Sequence, residues 1–291
     1  MSVDRDLNSQ EAASRAALDA VREFLGGPRL DGDGWTFDFG THLESNWGAV
    51  YGGALAAGAV SVARTVVPER SPRALHLQIV RSVPSGVAYA TAEVRHAGRT
   101  VATVEIDIYD ARRKLAVIAL ATMVAPGAIA TEFNDAAADP FRRSPRPVEL
   151  TAGFTAPLHR SLQMLTDEKD GVFTGWVAEN GRPSIDGALP PVGHITIPWD
   201  DLESTGPEAA CLGADAMIAA PILYSYIPNG VIGPNPDLSL RFTTAAAQRE
   251  VLTSGTMLSV QHGTVTIAIE VQAGDAQLAH GLATALLLPK R

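Results

Sequence analysis

The sequence predicts an α+β fold of two similar units, each with antiparallel strands around one buried helix. The first observation is an uncharged segment of small residues, Gly53 to Ala63, which is typical of a helix that is apolar on every face. The second is a series of apolar and β-branched runs separated by short turns, a pattern that favours antiparallel strands. The third is that both features occur twice along the chain. A tandem repeat of one small fold is therefore expected.

Composition narrows the class of protein. The chain has 291 residues, is 46% hydrophobic and carries a net charge of −9, so it can bury a large core and lacks the basic surface of a nucleic-acid partner. Its only cysteine is Cys211, and its histidines lack metal-ligand spacing, so we expect no disulfide, no metal and no cofactor. The polar, acidic start is unlike a signal peptide, and the small-residue helix is too short to span a bilayer. We expect a soluble cytoplasmic protein without a membrane partner.

The first unit, residues 1–125, reads as helix, strand, buried helix and strands. Residues 9–25 have the apolar spacing of an amphipathic helix, and residues 35–39 alternate as a strand does. The buried helix follows, opening with Gly52 and Gly53. The strands expected after it are 75–80, 88–96, 100–110 and 115–124. Their short connections favour an antiparallel meander.

Residues 126–150 are rich in Ala, Pro, Asp and Arg without periodicity, and we interpret them as a linker. The second unit, residues 151–291, has a strand candidate at 172–178. A second helix is expected from about Thr205, which has the capping-box spacing to Glu208. The strands expected after it are 238–243, 257–261, 264–272 and 278–288.

The two units repeat each other at the level of single residues. HAGRTVATVEI at 96–106 matches QHGTVTIAIEV at 261–271, and KLAVIALATM matches QLAHGLATAL further along. With WGAVYGG at 47–53 and LGAD at 212–215, these segments resemble the acyl-CoA thioesterase II family of tandem hot-dog proteins. The resemblance extends from Trp35 to Pro289. It implies a double hot-dog fold, in which two tandem units each wrap an antiparallel sheet around a central helix.

The resemblance also suggests a composite site. In single hot-dog thioesterases that act as dimers, a motif like G-x-x-H-G-G opens the helix, and a carboxylate follows nine residues after the His. In the first helix, Tyr51 takes the His place, Gly52 and Gly53 fit, and Val60 stands where the acid belongs. In the second helix, the same frame places Gly206, Pro207 and Glu208 at the opening and Asp215 at the acid position. Each helix keeps what the other lacks, which implies one site per chain.

The residue types suit thioester hydrolysis. The first N–H groups of a helix have no partner within it, so the Gly53 N–H could stabilise the oxyanion of a thioester carbonyl. Asp215 could act as a general base on water or as a nucleophile. It could also be a purely structural carboxylate. Substrate-binding candidates are Asn46, Tyr51 and Gly52; Asn46 could equally cap a turn.

Two positions depart from the family pattern. In the acyl-CoA thioesterase II family, the acid works with a Thr or Ser and with a Gln on later strands. In this chain, the position of the Thr or Ser holds Asn235, and the position of the Gln holds Ala283. The Asn235 amide can still orient a water molecule, whereas Ala283 cannot. The catalytic candidates are therefore Asp215, Gly53 and Asn235.

The expected function is hydrolysis of acyl thioesters, with acyl-CoA as the expected substrate and an acyl-carrier thioester as the other possibility. One alternative is a hot-dog dehydratase or hydratase on carrier-bound acyl chains, which would need a His within reach of Asp215. Another is a non-catalytic acyl-binding protein, consistent with the missing Gln. Dimers are common in the family that the chain resembles, so a homo-oligomer, expected to be a homodimer, is also predicted.

Overall fold

The structure is a computed structural model. It describes residues 28–45, 48–128, 147–149, 165–167, 192–196, 206–216, 218, 231–232, 234–243, 250–274 and 276–289. Four features predicted from the sequence lie wholly or mostly outside these residues: the helix at 9–25, the strand candidate at 172–178, the linker at 126–150 and the helix cap Thr205. The domain boundaries predicted from the sequence therefore stay predictions.

Fifteen strands are formed by the described residues. They are β1 (Arg29–Asp31), β2 (Gly34–Phe39), β3 (Ser71–Ile79), β4 (Gly86–Ala97), β5 (Val101–Tyr109), β6 (Leu115–Val124), β7 (Pro147–Glu149), β8 (Leu165–Asp167), β9 (Val192–Thr196), β10 (Val231–Ile232), β11 (Asp237–Phe242), β12 (Glu250–Gln261), β13 (Thr264–Ala273), β14 (Ala276–Leu286) and β15 (Leu288–Pro289). The α-helices described are α1 (Gly52–Val66) and α2 (Gly206–Ala216). A short 3₁₀ turn at Thr41–Leu43 precedes α1.

Helix α1 is buried over most of its length, as its composition predicts. Every residue from Gly52 to Ala63 is buried, and the first polar side chains exposed to solvent come in its last turn. Gly58 faces the stacked rings of Phe37 and Phe39 on β2, where an added Cβ would lie 3.3 Å from the Phe37 ring. Small residues on α1 thus allow it to lie closely against the sheet.

One antiparallel sheet of 13 strands contains most of the chain, in the order β1-β2-β4-β5-β6-β3-β11-β14-β13-β12-β9-β8-β7. The order reads the same outward from its middle: β3, β6, β5, β4 and β2 on one side correspond to β11, β14, β13, β12 and β9 on the other. Helix α1 packs on the strands of the first half, and α2 packs on those of the second. The sequence repeat is therefore matched by a repeat of strand order.

Strands β3 and β11 join the two halves. They pair antiparallel from Ala74 opposite Arg241 to Gln78 opposite Asp237. The leucines of this pairing (Leu75, Leu77, Leu238 and Leu240) are buried, and the residues between them face the other side of the sheet. Backbone hydrogen bonds thus cross from one half to the other without interruption.

The predicted meander is only partly correct. Strands β4, β5 and β6 follow one another in sequence and in space, but β3 does not pair with β4; it lies between β6 and β11. The alternation of apolar and polar residues predicted the positions of the strands in the sequence. It did not predict which edge of the meander β3 would join. Neither of the two strands that pair with β3 is its neighbour in sequence.

Candidate functional site

Helices α1 and α2 lie antiparallel against each other, so that the end of α2 meets the start of α1. Asp215, near the end of α2, is 5% exposed and accepts hydrogen bonds from the backbone N–H groups of Gly52 and Gly53. The side-chain amide Nδ2 of Asn235 donates to Asp215 Oδ1 over 2.9 Å. The structure thus brings together four residues singled out from the sequence.

Burial sets the charge state of this carboxyl group. Removing Asp215 from water raises its pKa from 3.8 to about 6, and the hydrogen bonds from Gly53, Asn235 and Gly52 oppose that rise. A carboxyl group with such a pKa is mostly ionised at neutral pH yet can hold a proton briefly. This is the property that a general base requires.

Gly53 has a packing reason to be glycine. A Cβ at this position would lie 2.6 Å from the carbonyl oxygen of Cys211 and 2.8 Å from Cβ of Asp215. At Gly52 an added Cβ would meet the side chains of Asn235 and Asp215 at 3.1 Å. The paired glycines therefore let α2 approach the start of α1 closely enough for the Asp215 carboxylate to reach their N–H groups.

The Gly53 N–H, predicted as an oxyanion donor, is directed at Asp215 in this structure. The donor and the base are thus hydrogen-bonded to each other. Use of this N–H by a substrate oxyanion requires Asp215 to release it.

Asn235 is held at the seam between the two halves, which is the pairing of β3 with β11. The carbonyl of Pro234 accepts a hydrogen bond from Leu286 N–H at the end of β14, and the carbonyl of Pro236 accepts one from Ile79 N–H at the end of β3. Asn235 lies between these two fixed points, directly before β11. Its side chain is therefore positioned against Asp215 by backbone on either side.

Tyr51 caps the start of α1 and is 7% exposed. Burial raises the pKa of its hydroxyl well above 10, and the nearby charge of Asp215 raises it further. Tyr51 is therefore neutral at physiological pH and belongs to the same buried cluster. Ala283 lies on β14 opposite Leu238 and is buried. Asn46, predicted to line the site, lies outside the described residues.

At the opposite end of the helix pair, where α1 ends and α2 begins, a buried carboxylate is paired with an arginine. Glu208, in the first turn of α2, is 2% exposed, and its carboxylate accepts hydrogen bonds from Arg64 Nη1 at 2.8 and 3.0 Å and from Ser61 Oγ at 3.1 Å. Burial raises the pKa of Glu208, and the Arg64 charge opposes the rise. In the helix alignment, Glu208 takes the place of Gly53.

This ion pair was not predicted from the sequence. A signal was present in the sequence, since Arg64 and Glu208 are each a charged residue set against a helix of small apolar side chains. Such residues are rarely buried without a partner. Among the described residues, no group of His, Cys, Asp and Glu side chains could hold a metal ion.

The chain is similar to known proteins both in sequence and in fold. Residues 43–124 match the family model of the acyl-CoA thioesterase N-terminal domain. This stretch of the chain is similar to an acyl-CoA thioesterase domain. The family resemblance predicted from the sequence is confirmed by this match over residues 43–124.

Three solved structures share the fold of this chain. A candidate thioesterase from Novosphingobium aromaticivorans is 21% identical, with a TM-score of 0.66 over 90% of this chain and 97% of that one. A protein with a hot-dog fold from Alicyclobacillus acidocaldarius is 13% identical, with a TM-score of 0.64 over 91% and 97%. An acyl-CoA thioesterase II from Mycobacterium marinum is 13% identical, with a TM-score of 0.64 over 92% and 97%. The fold is a hot-dog fold.

A search of curated protein sequences finds no match to the chain. Within the described residues, no helix has both the length and the apolar character needed to cross a membrane.

Proposed function

We propose that the protein hydrolyses acyl thioesters, with acyl-CoA as substrate, at a site formed by Asp215 and the start of α1. The observation that carries the proposal is a buried carboxyl group with a pKa of about 6, hydrogen-bonded to two helix N-terminal N–H groups, in a thioesterase-like chain. A base with this pKa works near neutral pH, and an α-helix start supplies donors suited to an oxyanion.

In the proposed mechanism, ionised Asp215 takes a proton from a water molecule as that water attacks the thioester carbonyl. The C–O bond forms and the carbonyl becomes an oxyanion. The intermediate then collapses, the C–S bond breaks, and the thiolate leaves with the proton that Asp215 holds. The products are the free acid and the thiol.

The hydrogen bonds of the resting site suggest how the two roles are linked. Ionised Asp215 holds the N–H groups of Gly52 and Gly53 strongly, because charge-assisted hydrogen bonds are stronger than neutral ones. When Asp215 takes the proton, that hold weakens at the moment when the negative charge appears on the substrate. The Gly53 N–H can then turn to the oxyanion, so both roles predicted from the sequence are kept.

Asn235 is proposed as a positioning residue. Its amide donates to Asp215 Oδ1 and stabilises the ionised form, which lowers the pKa of the carboxyl group. With Ala283 in the position where the family has Gln, no amide is offered from that point of β14. The proposed reaction therefore relies on Asp215 and Asn235.

We further propose that residues 1–125 and 151–291 are two hot-dog units in a double hot-dog arrangement and that the chain forms a homodimer. The mirrored strand order supports the first proposal. Light scattering tests the second: a mass near 30.6 kDa at micromolar concentration would contradict it.

The experiment that tests the function is thiol release from a panel of acyl-CoA substrates by the wild-type protein and by Asp215→Asn. We expect turnover by the wild type and loss of most of it in the variant, because an amide is nearly isosteric but cannot accept the proton of water. Full turnover by Asp215→Asn would contradict the proposal. Binding without turnover by the wild type would favour the non-catalytic acyl-binding alternative.

A further inference from the structure

A serine and a histidine contact each other on the face of the sheet that points away from the helices. Ser239 on β11 and His76 on β3 are directly opposite each other in the pairing that joins the two halves. Ser239 Oγ and His76 Nδ1 are 2.6 Å apart. This contact lies outside the Asp215 site, since the neighbouring Leu75, Leu77, Leu238 and Leu240 point into the core from the opposite face.

The chemistry of the pair depends on the state of the imidazole. Partial burial lowers the pKa of His76 below its usual value, and the charge of Arg241 lowers it further. The ring is therefore neutral at pH 7. In the tautomer with its hydrogen on Nε2, Nδ1 accepts the hydroxyl hydrogen of Ser239, which is the arrangement of a nucleophile with its general base.

The surroundings provide two further elements of a reactive site. Arg241 follows Ser239 by two residues on the same strand, so its side chain is on the same face, and its charge is near enough to lower the pKa of His76. Its Nη1 donates to the backbone carbonyl of Leu240 over 3.0 Å, and the cation beside the pair would favour negative charge on a reacting acyl group. Leu120 lies opposite His76 on β6, and Leu282 lies opposite Ser239 on β14. Both leucines are large exposed hydrophobic side chains, 39% and 47% exposed, and give apolar surface on either side of the pair.

We propose that Ser239 and His76 form a second acyl-transfer site, at which Ser239 accepts an acyl group from an activated ester or thioester with an apolar chain. Ser239 Oγ attacks the acyl carbon and His76 takes the hydroxyl proton. The bond from the acyl carbon to the leaving oxygen or sulfur then breaks, and the leaving group departs with the proton from His76. The product is an O-acyl serine, and no other reactant is consumed.

The test uses the full-length Asp215→Asn variant with p-nitrophenyl acetate, so that the site at α1 does not contribute. We expect release of p-nitrophenol with the gain of one acetyl group per chain by intact mass, and peptide mapping should locate it at Ser239. The added substitution Ser239→Ala should remove the adduct. His76→Gln should slow its formation by about 10²-fold, the lower end of what a general base contributes.

Ser71→Ala is the matched control, because Ser71 is an exposed serine at the start of β3. This control should acetylate as fast as the Asp215→Asn parent. Thermal unfolding should show that the Ser239, His76 and Ser71 variants unfold like the Asp215→Asn parent, since these three side chains lie on the solvent side of the sheet. The proposal is overturned if the parent gains no acetyl group, if the group maps to another residue, or if His76→Gln reacts at the parent rate. None of these results bears on acyl-CoA hydrolysis by the wild type.

Discussion

The Asn235 amide donates to Asp215 Oδ1 across 2.9 Å, which links the loop before β11 to the end of α2. The same carboxylate accepts the N–H groups of Gly52 and Gly53. One side chain therefore ties together both helices and the strand at the seam between the halves. Changes at these four positions should therefore alter the activity proposed for the site, the stability of the fold, or both.

The first prediction concerns the pH dependence of turnover. Only ionised Asp215 can accept a proton from water, so the rate of acyl-CoA hydrolysis should rise as pH increases through about 6 and level off above it. A pH–rate profile of kcat/KM measures this directly. A rate that is flat between pH 5 and pH 8 would show that Asp215 is not the base.

The second prediction concerns stability and has the opposite direction. Because the pKa of Asp215 is raised in the folded state, the folded protein binds this proton more tightly than the unfolded chain does. The stabilisation is therefore complete below about pH 4 and is lost as pH rises through about 6. A rise from 3.8 to about 6 corresponds to about 3 kcal/mol.

Asp215→Asn does not titrate and should lack this part of the pH dependence. Urea unfolding at pH 4.5 and pH 8 should show the variant gaining stability relative to the wild type as pH rises, by about 2 kcal/mol, since part of the effect already lies below pH 4.5. Parallel curves for the two proteins would mean that the Asp215 pKa is the same folded and unfolded.

The third prediction separates the two glycines. Gly53→Ala would press a methyl group against the Cys211 carbonyl at 2.6 Å, where backbone must move, and should cost about 1–3 kcal/mol in the free energy of unfolding. Gly52→Ala meets only side-chain atoms of Asn235 and Asp215 at 3.1 Å. It should therefore be milder in stability and should act on turnover instead. Equal losses of stability in urea unfolding would contradict this ranking.

The fourth prediction concerns Asn235. Removing its amide takes away one hydrogen bond that lowers the Asp215 pKa, so Asn235→Ala should move the rise of the pH–rate profile to higher pH. Asn235→Ser keeps a hydroxyl and is the matched control; its profile should shift less. If the alanine variant loses activity without any shift of the profile, Asn235 does not act through Asp215.

The fifth prediction concerns the ion pair at the other end of the helices. Arg64→Met would leave the Glu208 carboxylate, 2% exposed, with only Ser61 as a side-chain partner among the described contacts. Loss of one partner of a buried pair typically costs about 3–5 kcal/mol, and the partial exposure of Arg64 places the expected loss toward the lower end. The double variant Arg64→Met with Glu208→Gln should recover most of the loss in urea unfolding. A double variant no more stable than the single one would show that the charge of Glu208 is not the cause.

The sequence predicted the helix cores and most strands because these follow from local periodicity. Helix α1 is apolar on every face and could only be buried, and β5 alternates buried and half-buried residues along its length. The meeting of Asp215 with Gly53 was predicted by aligning the two helices, not from either helix alone. That meeting is found in the structure, while the catalytic roles assigned to both residues stay proposals.

What was missed depends on residues far apart in the chain. Arg64 and Glu208 are separated by 144 positions, so the sequence around either residue does not identify the other as its partner. Strand β3 pairs with β6 and with β11, and neither strand follows it directly in the chain. The direction of the Gly53 N–H toward Asp215 also requires the final distance between two helices, which no local pattern contains.

The pairing of β3 with β11 has a consequence for how the chain can be divided. Cutting the chain between the units would expose the backbone groups of β3 from Ala74 to Gln78 and those of β11 from Asp237 to Arg241 as bare edges. Open edges of this kind favour association with other strands. Separately produced halves should therefore be poorly soluble alone, yet should form a complementing pair when refolded together.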